Sequence, residues 1–256
     1  MIHKINELKE KLDQLRPLTE SKASALKSVF RAEETDYIYE SNAIEGNTLT
    51  LAETELVLAK GLTVSGKPLK DHLEATNHQK AMTKLKEMVK QKSLITEDAC
   101  LDLHEMVLKG LHDDYAGRYR DVPVRISGSR HVPPNPLKIP DLMKTLFAEI
   151  LLKKESPVHL AADLHWRLSQ IHPFIDGNGR TCRLMMNLVL MQAGYPLTII
   201  RSENNQRVDY YNALSESDKT GDPKAFRSFI EMRVFETLER YLGVLGEVVG
   251  VIKKSE

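Results

Sequence analysis

Cysteine is scarce in this chain of 256 residues, which has only Cys100 and Cys182. That excludes a disulfide framework and suits a reducing compartment. An excess of charge of either sign is missing as well. Lys plus Arg and Asp plus Glu each number 36, so the formal net charge is zero. This gives no support to a general nucleic-acid or anionic-membrane binder. Long apolar runs are missing too. The N-terminal stretch MIHKINELKEKLDQL has no uninterrupted signal-type core. The longest apolar stretch, Tyr241 to Ile252, is broken by Glu247 and glycines and is too short to span a bilayer. There is no repeat and no low-complexity linker. The expectation is a cytoplasmic protein of one or two domains, with no nucleic-acid or membrane partner.

What is present is helical periodicity. Ile5, Leu8, Leu12 and Leu15 recur at helical spacing until Pro17. A second helix is predicted from about Ser24 to Glu45, stopped by Gly46. Thr50 and Glu53 read as a capping box for a helix ending near Gly61. Further helices are predicted over Asp71 to Gln91 and from Thr96 to Gly110. Helices resume near Pro140. Pro157 suits the first turn of a helix with an apolar face of Leu160, Leu164, Leu168 and Ile171, ended by Pro173. Another helix runs from near Arg180 to Gly194, and Asp222-Pro223 opens the last. Between Leu111 and Asn135, alternating apolar residues around Ser127-Gly128-Ser129 predict a short β-hairpin.

One segment carries chemistry: His172-Pro-Phe-Ile-Asp176-Gly177-Asn178-Gly179-Arg180-Thr-Cys-Arg183. Gly177 and Gly179 permit backbone conformations closed to other residues. At a helix start they expose N–H groups that, with the helix dipole, form an anion site. Arg180 and Arg183, three apart, share one face of the first turn. Two arginines there oppose the dipole, and a bound polyphosphate reverses that penalty. Asp176 offers an oxygen ligand for Mg²⁺, and His172 has the near-neutral pKa of a general base. Taken singly, Gly-Asn-Gly is a common turn and a His before Pro is a common capping or core group. The ordered set of base, metal ligand, anion nest and arginines is hard to explain as packing.

That set resembles the Fic signature, His-x-Phe-x-Asp/Glu-Gly-Asn-Gly-Arg-x-x-Arg, with every fixed position present. Looser similarity extends from about Ser41 to Phe229. The resemblance implies an all-α fold, a Fic-type helical core with a short β-hairpin flap. It implies an enzyme that transfers AMP from ATP to a Ser, Thr or Tyr hydroxyl of a target protein, with pyrophosphate leaving. On it, His172 deprotonates the hydroxyl and Asp176 holds Mg²⁺. Gly177, Asn178, Gly179 and Arg180 cradle phosphates, Arg183 holds the γ-phosphate, and Phe174 anchors the loop in the core. The flap, Arg125, Ile126, Ser127, Gly128, Ser129, Arg130, His131 and Val132, aligns the target by backbone pairing. Tyr210 and Tyr211 match an aromatic pair that lines the adenine pocket in relatives, or are ordinary core tyrosines.

Ser41-Asn-Ala-Ile-Glu45-Gly46-Asn47 resembles the family's inhibitory motif. Ser41 and Glu45, four apart, share a helix face, and Gly46 leaves Glu45 at the tip. A carboxylate there is expected to pair bidentately with Arg183 and stop ATP from docking. In some relatives this glutamate also helps remove AMP. The alternatives are therefore dominant removal of AMP, or a non-enzymatic module that binds a nucleotide. A γ-phosphate-transferring variant departs from Gly-Asn-Gly-Arg, so the intact loop argues against it. Residues 1–60 read as N-terminal helices with the inhibitory one, 61–232 as the catalytic core, and 233–256 as a C-terminal helix. Leu242 to Ile252 would pack on the core or on a second copy, and a homodimer and self-modification fit that picture. No appended DNA-binding or repeat domain is expected. His159 and His165, six apart, do not share a helical face; His165 and His172 could, but His172 is already assigned, so no zinc site is expected. Cys182 and Trp166 read as packed residues, although positive charge beside Cys182 could lower its pKa.

Overall fold

Side chains at the helix ends decide where this chain turns. The computed structural model describes the backbone of residues 1–18, 20–126 and 128–254. It describes their side chains apart from residues 21, 22, 25, 204 and 247–254. Ten α-helices follow one another among these residues. They are α1 (Ile2–Gln14), α2 (Glu20–Ile44), α3 (Leu51–Lys60), α4 (Leu69–Gln91) and α5 (Glu97–Leu108). After a 3-10 turn at Pro136–Lys138 come α6 (Ile139–Leu152), α7 (Pro157–Ile171), α8 (Asn178–Gln192), α9 (Asn204–Thr220) and α10 (Lys224–Lys254).

The caps agree with the sequence. Thr50 accepts from the Glu53 amide at 3.2 Å, and the Glu53 carboxylate accepts from the Thr50 amide at 2.8 Å. Ser156 caps α7 by accepting from the His159 amide at 3.2 Å, with Pro157 in the first turn. Such caps contribute about 1 kcal/mol each.

The centre is α8, whose residues Arg180 to Leu190 are all buried. A helix enclosed on every side must be wrapped by others. Here α7 makes the most extensive contact, and α4 and α5 close further sides. α10 crosses α7 and α9 and carries α1 on its flank. α2 touches α3, α4, α8 and α10, so its C-terminal end reaches the start of α8. The expected boundary at 232 falls inside α10, one continuous helix. Tyr241 and Leu245 are buried there, against the core. The side chains of the expected apolar run from Glu247 to Ile252 lie outside the described residues. No described helix is long and apolar enough to cross a membrane.

The hairpin is a correction. Among the described residues from 111 to 135 there is no strand, only extended chain and a turn in which the Ser129 amide donates to the Ile126 carbonyl at 3.1 Å. Ser127 itself lies outside the described residues. Pro123, Pro133 and Pro134 have no N–H to give a ladder. The segment is instead tied to the helical body. His131 Nε2 donates to the Gln170 carbonyl at 2.8 Å. Arg120 holds the two stems. α9 is a second difference, since no helix was anticipated around Tyr210.

Candidate active site

The loop from His172 to Gly177 is built by local chemistry. The N–H of His172 caps α7 on the Leu168 carbonyl at 2.9 Å, and His172 itself adopts the left-handed conformation, φ 47°. That is uncommon for a residue with a Cβ and reorients the chain sharply. Asn178 then braces the loop. Its Oδ1 accepts from the Phe174 amide at 3.0 Å and its Nδ2 donates to the Phe174 carbonyl at 2.9 Å. Its side chain is thus committed to the loop, not turned toward a ligand. Phe174 is buried as expected and stacks on His104, ring centroids 3.6 Å apart.

His104 was not anticipated. The Gly117 amide donates to its Nδ1 at 3.0 Å, so the ring proton sits on Nε2 and is donated to the Asp176 carbonyl at 3.0 Å. Burial lowers its pKa to about 4, which keeps that neutral tautomer. A Cβ on Gly177, φ 77°, would press on this ring at 3.3 Å. Glycine is therefore required there twice over, by conformation and by space. No periodicity could have revealed His104, because its partner is 72 residues away.

α8 begins at Gly177 with no side-chain cap and no acid in its first turn. Both arginines of its first turns are buried, each with its own partners. Arg180 is 1% exposed and pairs with Glu74 at 3.1 Å and Asp176 at 3.4 Å. Among the described residues its Nε has no hydrogen-bond partner, while Nη1 is the atom that faces Glu74. Arg183, also 1% exposed, donates from Nε to Ser41 Oγ and from Nη2 to the Ser41 carbonyl, both at 2.8 Å. The same Nη2 reaches Glu45 Oε1 at 2.8 Å, and Nη1 has no partner. The Glu45 contact is therefore single, not bidentate: Ser41 has taken the fork of the guanidinium. Burial alone would depress the Arg183 pKa, but the Glu45 carboxylate together with Tyr210 and Tyr37 more than offsets this and raises it. Orphaned buried donors at a helix N-terminus are the chemistry of a polyanion site.

Asp176 keeps its side chain 42% exposed. Its Oδ1 accepts from the Gly177 amide at 2.6 Å. Burial tends to raise its pKa, but Arg180 and that amide more than offset this, so the carboxylate is held below its usual range. Such an oxygen can join a hard cation whose other ligands are phosphates and waters. Among the described residues no cluster of three or more metal-ligating side chains occurs. The pKa of His172 is lowered to about 4 by burial, against a pull from the Ser169 carbonyl, so the ring is neutral and can accept a proton. Arg120 was also missed. It donates from Nε to the His172 carbonyl at 2.8 Å.

The remaining expected residues are spread out. Tyr210 is buried, its hydroxyl 3.1 Å from His165 Nε2, whereas Tyr211 is 43% exposed with Arg207 over its ring. The flap residues Arg125, Gly128, Ser129, Arg130 and Val132 are exposed, and Ile126 and His131 are half-buried. Trp166 and Cys182 are buried. Burial pushes the Cys182 thiol up to about 12, outweighing the opposite pull of Arg183.

Comparisons with known proteins agree with this geometry. Residues 94–190 match the Fic/DOC family model. A protein adenylyltransferase Fic from Nematostella vectensis is 38% identical over 247 residues, which is 94% of this chain and 56% of that protein. The chain spans about half the length of the curated relatives it matches. The solved structure of a Fic domain containing signaling protein from Bacteroides thetaiotaomicron is 30% identical. It superposes with a TM-score of 0.80 over 92% of this chain and 94% of that one. Fic-1 from C. elegans is 28% identical, with a TM-score of 0.82 over 99% of this chain and 73% of that chain. The helical fold, the anion site at the start of α8 and these likenesses together place the chain in the Fic/DOC family.

Proposed function

We propose that this protein transfers AMP from ATP to a hydroxyl of a target protein, and that Glu45 holds the activity down. The observation that carries this reading is the carboxylate of Glu45, 2.8 Å from Arg183 at the mouth of the anion site. A carboxylate there occupies the place of a phosphate. Arg183 is buried beneath α2, so a γ-phosphate can reach it only when Glu45 withdraws.

The reaction is an in-line displacement. The hydroxyl proton passes to His172, the oxygen attacks the α-phosphorus, and the bond to the β-phosphate oxygen breaks, releasing pyrophosphate. Nδ1 of His172 faces inward, which leaves Nε2 for the hydroxyl. The N–H groups at the start of α8, with Arg180 and Arg183, stabilise the charge that develops on the phosphates. Asn178 acts by holding the loop. Asp176 would hold Mg²⁺, which supplies charge neutralisation at the α- and β-phosphates when bound. Exposed extended chain in the flap suits backbone pairing with a target. The half-exposed Tyr211 offers a ring to adenine, and the buried Tyr210 supports it from behind. Two buried free thiols suit a cytoplasmic setting. A homodimer and AMP transfer to the chain's own hydroxyls belong to the same reading.

The test uses ATP labelled at the α-phosphate, Mg²⁺ and cell extract. The parent, Glu45→Gly, and Glu45→Gly with His172→Ala are compared. Label on protein should appear with Glu45→Gly and vanish with the added change. Transfer of γ-label in place of α-label would sink the reading. So would nucleotide binding with no transfer of either label, to extract proteins or to the chain itself.

A further inference from the structure

Arg120 is 3% exposed, and among the described residues it has no acidic partner. Its donors go to main-chain carbonyls. Nε donates to His172 at 2.8 Å, Nη1 to Val122 at 3.0 Å and Nη2 to Pro134 at 2.7 Å. Its own amide donates to the Pro173 carbonyl at 2.9 Å. Val122 lies just before the flap, Arg125 to Val132, and Pro134 just after it, while His172 is the candidate base. One planar fork therefore ties both stems of the flap and the backbone of the base to a single point. Guanidinium geometry is rigid, so these three carbonyls are held in fixed relation. A buried cation satisfied only by carbonyls has given up its hydration shell, which is unusual where a mere surface tether would suffice.

We propose that Arg120 is a positioning residue that sets the register between the target-docking flap and His172. This rests on the AMP-transfer reading above. A hydroxyl presented on the flap must arrive within hydrogen-bond reach of the base, and misplacement by about 1 Å costs on the order of a hundredfold in rate. Water needs no flap. Loss of Arg120 should therefore penalise protein acceptors far more than water.

The experiment compares Arg120→Met and Arg120→Lys in the Glu45→Gly background, with extract proteins and water as competing acceptors of α-labelled AMP. For Arg120→Met, protein labelling should fall by about tenfold or more, while AMP release to water stays within about threefold. Arg120→Lys should recover part of the labelling. Equal losses with both acceptors would overturn the proposal, because they indicate general damage to the loop. A second readout does not depend on activity. Amide exchange in full-length Arg120→Met should rise by about tenfold or more at the hydrogen-bonded amides of positions 120, 129 and 131 and little in α7 and α8. Unchanged flap exchange, or loosening that spreads through α7 and α8, overturns the proposal too. If the Glu45→Gly parent transfers no AMP at all, the functional reading fails by itself, and exchange alone decides whether Arg120 sets the flap.

Discussion

The carboxylate of Glu45 lies where a side chain on Gly179 would have to be: a Cβ there would approach Oε1 to 2.1 Å. The turn that carries Glu45 and the start of α8 are therefore fitted to each other with no room for a methyl group. Behind that contact, Asn47 donates to Glu74 at 2.9 Å, and Glu74 pairs with Arg180. Thr48 donates to Asp71 through both its amide and its hydroxyl, at 2.8 and 2.6 Å. The turn is held on α4 as well as on α8.

Gly179→Ala should evict Glu45, since the obstructed atoms are the end of a flexible side chain. It should not free the site, because the methyl group also fills the space a phosphate would use. The expected variant folds, loses the Glu45–Arg183 pair and stays poorly active, in contrast to Glu45→Gly. AMP transfer by Gly179→Ala equal to that of Glu45→Gly would show that phosphate does not use this space.

Glu45→Gly should trade stability for activity. It leaves Arg183 buried without its acid, at a cost of about 1–3 kcal/mol after allowing for the partial exposure of Glu45. Thermal unfolding without nucleotide should occur at a lower temperature than in the parent. Added ATP should raise that temperature more in the variant than in the parent. A parent stabilised as strongly by ATP as the variant would argue against competition between Glu45 and phosphate.

Ser41→Ala should release the brake only in part. Arg183 loses the acceptor of its Nε–H but keeps the Ser41 carbonyl and Glu45. A lost hydrogen bond to a charged group is worth about 1.5–3 kcal/mol, which bounds the expected activation at roughly a hundredfold. Activation should fall below that of Glu45→Gly. Transfer rates of the two variants under the same conditions are the measurement, and a Ser41→Ala variant that exceeds Glu45→Gly contradicts the arrangement.

His172→Ala in the Glu45→Gly background should lower the rate by roughly a hundredfold to ten-thousandfold with little change in ATP affinity. On the proposed mechanism His172 touches the acceptor rather than the phosphates. Equilibrium binding of ATP, measured beside the rate, separates the two effects, and a parallel loss of binding would reassign His172 to the loop's structure.

Stability should fall as the solution is acidified from about pH 6.5. Burial holds His104 at about 4, His165 at about 3 and His78 well below the ordinary 6.5. Below 6.5 the unfolded chain takes up protons that the folded one refuses, so stability rises with pH in this window. Their stability contribution is complete above about 6.5 and is lost as pH falls toward those folded values. Each contributes a slope of about 1.4 kcal/mol per pH unit once its unfolded form is protonated. Urea unfolding at about pH 7 and about pH 5 measures it, and equal free energies at the two would refute the buried neutral state of these rings.

Helix ends were legible in the sequence because their signals are local: Thr50, Glu53, Gly61 and Pro157 each act within one turn. The residues of the candidate anion site stand close together in sequence, since His172 to Arg183 is one loop and the first turn of one helix. The hairpin was misread because alternation reports which residues face inward, not whether two arms bond to each other. Here prolines remove the ladder donors, and the arms are tied to α7 and Arg120. His104, Arg120 and Glu74 were invisible, because their partners lie far along the chain and several are main-chain carbonyls, which have no residue signature. The sequence by itself determined that a helical chain carries a histidine, an aspartate, a Gly-Asn-Gly turn and two arginines in order. Only the tertiary structure decided that Ser41 takes the fork of Arg183, that Glu45 lies over Gly179, and that a buried arginine ties the flap to the base. Those relations depend on how α2, α4 and α8 meet, and packing between distant segments is not written in any local pattern.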